Sequence, residues 1–123
     1  MKKYVIFLIL ISISTLANSS AFVHPMDFNG TDREKSQVIS NIKDRVKSDY
    51  CNSTVDMCNS TTLRMMEKAN LKAFKELTQA RNRNILNRVI KDYCGKMVDM
   101  CNYTTLNMMY NKNLTASKEN LSW

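Results

Sequence analysis

Four cysteines, Cys51, Cys58, Cys94 and Cys101, are the residues of this chain best suited to chemistry, and their spacing selects its kind. Each pair follows C-x6-C. That is neither the C-x-x-C of a redox dithiol nor a usual zinc-ligand interval, and the one histidine, His24, is distant in sequence. Oxidation to structural disulfides is the chemistry this pattern favours, and no metal or cofactor is expected.

Three pairings are open. On a continuous helix, positions seven apart stand about 10.5 Å from each other, beyond the ~7 Å reach between bridged Cα atoms. Pairing Cys51–Cys58 and Cys94–Cys101 therefore requires a non-helical loop within each motif. Cys51–Cys101 with Cys58–Cys94 suits two antiparallel units, and Cys51–Cys94 with Cys58–Cys101 needs the units side by side. Loop-closure entropy ranks the long rings higher, at about 4 kcal/mol against about 2.5 for an eight-residue ring. Duplication favours the local rings, because a copied unit works most simply when its bridge is internal. Cys51–Cys58 and Cys94–Cys101 are the expected pairs, with Cys51–Cys101 and Cys58–Cys94 as the alternative.

Catalytic residues are not expected. His24 sits beside Pro25, in a segment with no helical or strand pattern. Asp56 and Asp99 recur inside the two C-x6-C motifs, and Asp49 and Asp92 precede them. Paired carboxylates do acid–base work when brought together, but such residues more commonly cap helices or pair with nearby Lys and Arg.

The elements that position the cysteines come in duplicate. Residues 41–73 align without a gap to residues 84–116, identical at 20 of 33 positions. Gly occurs only at 30 and 95 and Pro only at 25, so the chain has few helix breakers. Thr31 and Glu34 have the spacing of a capping box. Val38, Ile42, Val46 and Tyr50 then recur every fourth residue, with Ile39 beside them, giving a helix over about 32–51. At Cys51-Asn52 and Cys94-Gly95 each copy changes character, since Asn and Gly tolerate the left-handed conformation that closes helices. Asn59 and Asn102, followed by hydroxyl-bearing residues, supply N-cap chemistry for a second helix.

The helix after Cys58 should be long, with Leu63, Met66, Ala73, Leu77 and Ala80 on one stripe, Phe74 at its edge and Arg64, Lys68, Lys72 and Lys75 opposite. Residues 81–84 hold no breaker, so it is expected to kink there or run on through Ile85, Leu86, Val89, Ile90 and Tyr93. A last helix spans about 103–112. The expected fold is all-α: a small disulfide-stapled helical domain of two tandem helix–loop–helix repeats. Residues 22–30 read as a flexible lead-in, 31–112 as the single helical domain, and 113–123 as a polar tail.

Compartment follows from the first 21 residues. Lys2 and Lys3, an apolar run from Tyr4 to Ile13, and small residues up to Ala21 form the pattern of a secretory signal peptide. The run is shorter than the ~20 residues of a bilayer span. Cleavage after Ala17 or Ala21 fits, and the expected product is a secreted, extracellular protein large enough for one small domain. Losing Lys2 and Lys3 lowers the formal charge from +7 to +5, an excess that steers toward acidic surfaces without being a nucleic-acid signature. Beyond Ala21, six sequons, at Asn29, Asn52, Asn59, Asn102, Asn113 and Asn120, are candidates for N-glycosylation, more than composition alone produces.

Methionine marks the candidate contact surface. Met57, Met65, Met66, Met97, Met100, Met108 and Met109 all lie in the copies, mostly at matching D-M-C and M-M positions. Flexible thioethers adapt to apolar partners, and they also fill cores. Arg81, Arg83, Arg88, Lys91 and Lys96 form a basic run, more in keeping with a solvated helix face than with a membrane surface.

The expected function is that of a non-enzymatic, glycosylated extracellular effector or cytokine-like ligand binding a protein partner, with Met57, Met65, Met66, Met100, Met108 and Met109 as contact candidates. The alternatives are a carrier of a small apolar ligand and a membrane-active toxin. Non-reducing mass spectrometry of the secreted protein distinguishes the pairings: local pairing yields disulfide-linked peptides drawn from one copy only, and any peptide joining the copies rules it out.

Overall fold

Asparagine and threonine side chains start every α-helix among the described residues. The structure, a computed structural model, describes residues 21–123 except Ser53, Val55 and Lys96. The expected leader thus lies outside the described residues apart from Ala21. α1 spans Asp32–Cys51, α2 Ser60–Leu77, α3 Arg83–Tyr93 and α4 Tyr103–Ala116, preceded by a 3-10 turn at Pro25–Asp27. Thr31 and Glu34 form the capping box on α1, each side chain accepting the other's backbone N–H, at 3.2 and 3.1 Å. Asn59, Asn82 and Asn102 each accept from the amide three residues on, at 2.9, 3.0 and 2.8 Å. The described residues are helical with no strand, and none of their helices is long and apolar enough to cross a membrane.

The disulfides join Cys51 to Cys58 and Cys94 to Cys101, each bridging a helix end to the approach of the next helix. Neither helix ends in the left-handed conformation. Asn52 has φ −106° and Cys94 φ −106°, and among the described residues only Gly30, at φ 80°, is positive. Gly95 answers a different demand: a Cβ there would stand 3.1 Å from the carbonyl oxygen of Lys91.

α2 does not run on into α3. It ends at Leu77, where the Thr78 hydroxyl donates to the Lys75 carbonyl at 2.6 Å. Gln79 and Ala80 then close tight turns onto the carbonyls of Glu76 and Leu77. The next two amides, Arg81 and Asn82, donate to the phenolic oxygen of Tyr110 on α4 at 3.3 and 3.2 Å. A residue 28 positions away thus accepts the hydrogen bonds that a continuous helix would have made internally. α4 in turn continues to Ala116, four residues past the end expected at 112.

Helix directions follow from the pairs that touch. Each disulfide folds its two helices back on each other, so α1 runs antiparallel to α2 and α3 to α4. α2 and α4 run parallel: Asn70 meets Thr104, Glu76 meets Asn107, and the turn after α2 meets Tyr110. α2 is therefore central, touching α1, α4 and the 3-10 turn. The core comprises Val38, Ile42 and Val46 from α1, Ala73, Phe74 and Leu77 from α2, Leu86 and Val89 from α3, and Tyr103, Leu106 and Tyr110 from α4. Tyr50, Leu63, Met66, Ala80, Ile85, Ile90 and Tyr93 pack around it half-buried, while Ile39 is 38% exposed.

The segment 22–30, expected to be a flexible lead-in, is docked. Phe22 stacks on Tyr103 with ring centroids 5.5 Å apart, Phe74 meets Tyr103 edge-on at 4.8 Å, and Phe28 meets Phe74 edge-on at 5.1 Å. Between them Pro25 is buried, the Tyr103 hydroxyl donates to the Val23 carbonyl at 2.8 Å, and Asp27 pairs with Arg83 at 2.7 Å. Its aromatic residues and proline outweigh the entropy of ordering nine residues, a balance that local turn chemistry does not reveal.

Asn70 is the one buried polar residue among those described, and both its ends are used. Its amide donates to the Met66 carbonyl at 2.9 Å, and its oxygen accepts from Thr104 N–H in the first turn of α4, at 3.3 Å. Asn70→Ala strands that amide and opens a void between α2 and α4. A loss of about 1–3 kcal/mol in urea unfolding is expected, against no measurable change for Asn111→Ala on the exposed face.

Candidate interaction surface

The methionines separate into two environments that recur in both copies. The first of each M-M pair is exposed, Met65 at 59% and Met108 at 49%, whereas Met66 and Met109 turn inward against the core. The D-M-C methionines are also displayed, Met57 at 41% and Met100 at 46%, with Met97 almost wholly exposed beside Val98. Four of the six expected contact residues are thus at the surface, and Met66 and Met109 serve the core.

The disulfide loops carrying these side chains are held differently. In the second loop, Met100 N–H donates to the Tyr93 carbonyl at 3.1 Å. Asp99 is gripped by Arg45 of α1, whose Nη1 pairs with its carboxylate and whose Nη2 donates to its carbonyl at 2.8 Å. Arg45 also pairs with Asp49 at 3.1 Å; burial opposes its charge, and the bonds to Asp99 and Asp49 more than restore it. Arg88, at the matching place in the second copy, pairs with Asp92 at 3.1 Å. The carboxylates weighed for acid–base work at 49, 92 and 99 are therefore occupied by arginines, and Asp56 lies exposed.

His24 is not the unanchored residue its sequence context suggests. Its Nδ1 accepts from Met26 N–H at 3.1 Å and its Nε2 bonds the Asn87 side-chain oxygen at 2.8 Å, tying the lead-in to α3. Among the described residues no cluster of three or more His, Cys, Asp or Glu is placed to hold a metal.

The sequon asparagines are spread over the ends of the helices. Asn59 and Asn102 cap with their oxygens, which leaves the amide nitrogen, the atom a glycan takes, outside the cap bond. Asn29 is exposed beside Glu34, Asn52 follows α1, and Asn120 lies in the exposed tail. Asn113 is in α4, its amide donating to the Met109 carbonyl at 2.8 Å. Of the basic run, Arg83 and Arg88 sit in ion pairs, and Lys96 lies outside the described residues.

Sequence reasoning passed over a groove between α1 and α2. Its floor is Phe28, Val38, Ile39, Leu71 and Phe74, beneath an open cleft of about 390 Å³, and it continues past Ile42 toward Glu67. Lysines flank it on both helices. The signal was present: Ile39 and Leu71 stand at the edges of their apolar stripes, each with lysines a turn away.

No known protein family, no curated protein and no solved structure shows a match to this chain.

Two carboxylates tie this framework to pH. The hydrogen bond from Arg83 holds Asp27 below its ordinary value against some desolvation, and the Thr31 backbone N–H does the same for Glu34. A carboxyl lowered in the folded state stabilises fully above its unfolded value and loses that contribution as pH falls through its folded one. Amide shifts of Thr31 and Glu34, and separately those of Asp27, should therefore move only once the pH falls below the ordinary carboxylate range, while those of Leu86 and Leu106 stay fixed. Movement of all five at once would mean global unfolding instead.

Proposed function

We propose that this chain is a secreted, non-enzymatic glycoprotein that acts outside the cell by binding a protein partner, built from two tandem helix–loop–helix units. The observation that carries this reading is the display of Met57, Met65, Met100 and Met108 at equivalent surface positions of the two copies, Met57 and Met100 within the disulfide-closed loops and Met65 and Met108 in the helices that follow them. A thioether left at the surface twice over, while its neighbour in sequence enters the core, is placed for contact. Two disulfides fit an extracellular setting, and the signal-peptide pattern and six sequons agree with it.

A carrier of a small apolar ligand needs an enclosed cavity, and the apolar clefts among the described residues open to solvent. A membrane-active toxin is supported less, since two arginines of the basic run are committed to carboxylates.

The test uses the exposed methionines directly. The protein is produced with photo-reactive methionine, and cross-links are mapped in the fluid into which it is secreted. Cross-links to one extracellular protein through Met57, Met65, Met100 or Met108 are expected. Replacing all four by serine should abolish them and leave the melting temperature within about 2 °C, as surface changes do. Tightly held lipid in the purified protein, with no protein cross-link, overturns the proposal in favour of a carrier.

A further inference from the structure

Lysine rails and a recessed apolar floor give the α1–α2 groove a specificity of its own. Ile39 and Leu71 form a saddle between two clefts. One is centred on Ile42 and Glu67, the other on Val38 and Phe74 with Phe28 closing its end. Those centres are four residues apart on α1 and seven on α2, so about 6–10 Å apart at 1.5 Å per residue. Apolar side chains at i and i+4, or i and i+7, of a docked helix span the same distance.

Charge decides what kind of helix. Lys35 and Lys43 stand on the α1 side, and Arg64, Lys68, Lys72 and Lys75 on the α2 side. Among the described residues the carboxylates lining these clefts are engaged: Glu67 pairs with Arg64 at 3.0 Å, and Glu76 accepts from Asn107 on the α4 side; Lys35 at the end of the α1 row pairs with Asp32 at 3.6 Å. Lys43, Lys68, Lys72 and Lys75 have no carboxylate partner among the described residues. None of the six sequon asparagines lines the groove; Asn29 adjoins Phe28 at one end of it, and the other five lie elsewhere in the chain.

We infer that this groove docks an acidic amphipathic helix of a partner protein, its apolar side chains on the Ile39–Leu71 saddle and its carboxylates on the flanking lysines. The inference rests on the partner being a protein, and it adds a surface separate from the exposed methionines. A bilayer fits less well, because apolar side chains sunk between two rows of cations do not reach into acyl chains, whereas a helix ridge enters them. Like-charge crowding along the rails is relieved by the partner's carboxylates, so affinity falls with salt.

The probe is a fluorescent, hydrocarbon-stapled helical peptide with leucines at i, i+4 and i+7 flanked by glutamates, compared with its lysine-for-glutamate counterpart. Binding to the full secreted, oxidised chain is read by anisotropy, and the site by amide shifts in NMR spectra. The acidic probe should bind at least about tenfold tighter than the basic one, weaken as salt rises, and shift Ile39, Lys43, Lys68, Leu71 and Lys75. Lys68→Glu with Lys72→Glu, both exposed and expected to leave the helical circular dichroism unchanged, should weaken it about tenfold or more.

Equal binding of the two probes, shifts confined to Met57 and Met100, or no effect of the charge reversals overturns the inference. So does sedimentation with phosphatidylserine vesicles that depends on Lys68 and Lys72 when the acidic probe does not bind. The methionine cross-links separate the two proposals. If they persist in the charge-reversed chain while the probe fails, a protein partner stands and the groove does not. If neither protein cross-links nor probe binding is found, both fall.

Discussion

The seam between α2 and α4 is the constraint on which the rest of the molecule depends. Here Phe74 meets Tyr103 edge-on, and Asn70 hands its oxygen to the first turn of α4. Each disulfide joins helices adjacent in sequence, so neither holds one copy to the other. That task falls to this seam, supported by the Tyr110 hydroxyl at the α2–α3 turn and by the Arg45–Asp99 pair. The aromatic residues of the seam are those the other copy lacks: Tyr103 corresponds to Ser60 and Tyr110 to Glu67, and Phe74, just past the aligned stretch, stands where Ser117 follows the second copy. Identity between the copies preserves the cysteines and caps, and divergence supplies the surface that packs one against the other.

Asn70 and Asn113 show how one residue serves two environments. Both donate to the carbonyl one turn back, in matching geometry at 2.9 and 2.8 Å. Asn70 is buried and spends its oxygen on α4, whereas Asn113 is exposed and begins a sequon. The arginines behave similarly. Arg45 and Arg88 each pair four residues ahead on their own helix, but only Arg45 also reaches a disulfide loop of the other copy. The two C-x6-C loops thus have the same covalent closure and unequal support, and the surfaces they present are distinct despite their related sequences.

Much of the architecture was legible in the sequence. The Thr31–Glu34 box, the Val38–Ile42–Val46 stripe and the asparagine caps are local signals, readable because the residues involved lie within one or two turns. What escaped was non-local. The break between α2 and α3 depends on Tyr110, whose hydroxyl receives amides from a segment without Pro or Gly. The lead-in carries polar and breaker residues that suggest looseness, yet its phenylalanines find partners up to 81 positions away. The candidate surface was partly legible: four of six methionines are exposed, but the inward turn of Met66 and Met109 follows from helix register against the core. The groove needed both helices in place, since neither lysine row means anything until the other stands opposite.

The docking of residues 22–28 has a consequence for the order in which this protein acquires its structure. The lead-in leaves a ribosome before α1 to α4, yet its partner Tyr103 lies 80 residues downstream of Val23. Cys51 and Cys58, seven apart, can meet and oxidise while the second copy is still being made. Phe28 finds Phe74 once α2 is made, but Phe22 must wait, uncovered, until Tyr103 of α4 arrives. Local contacts form quickly and distant ones late, so the contacts of Phe22 and Val23 with Tyr103 are among the last to form.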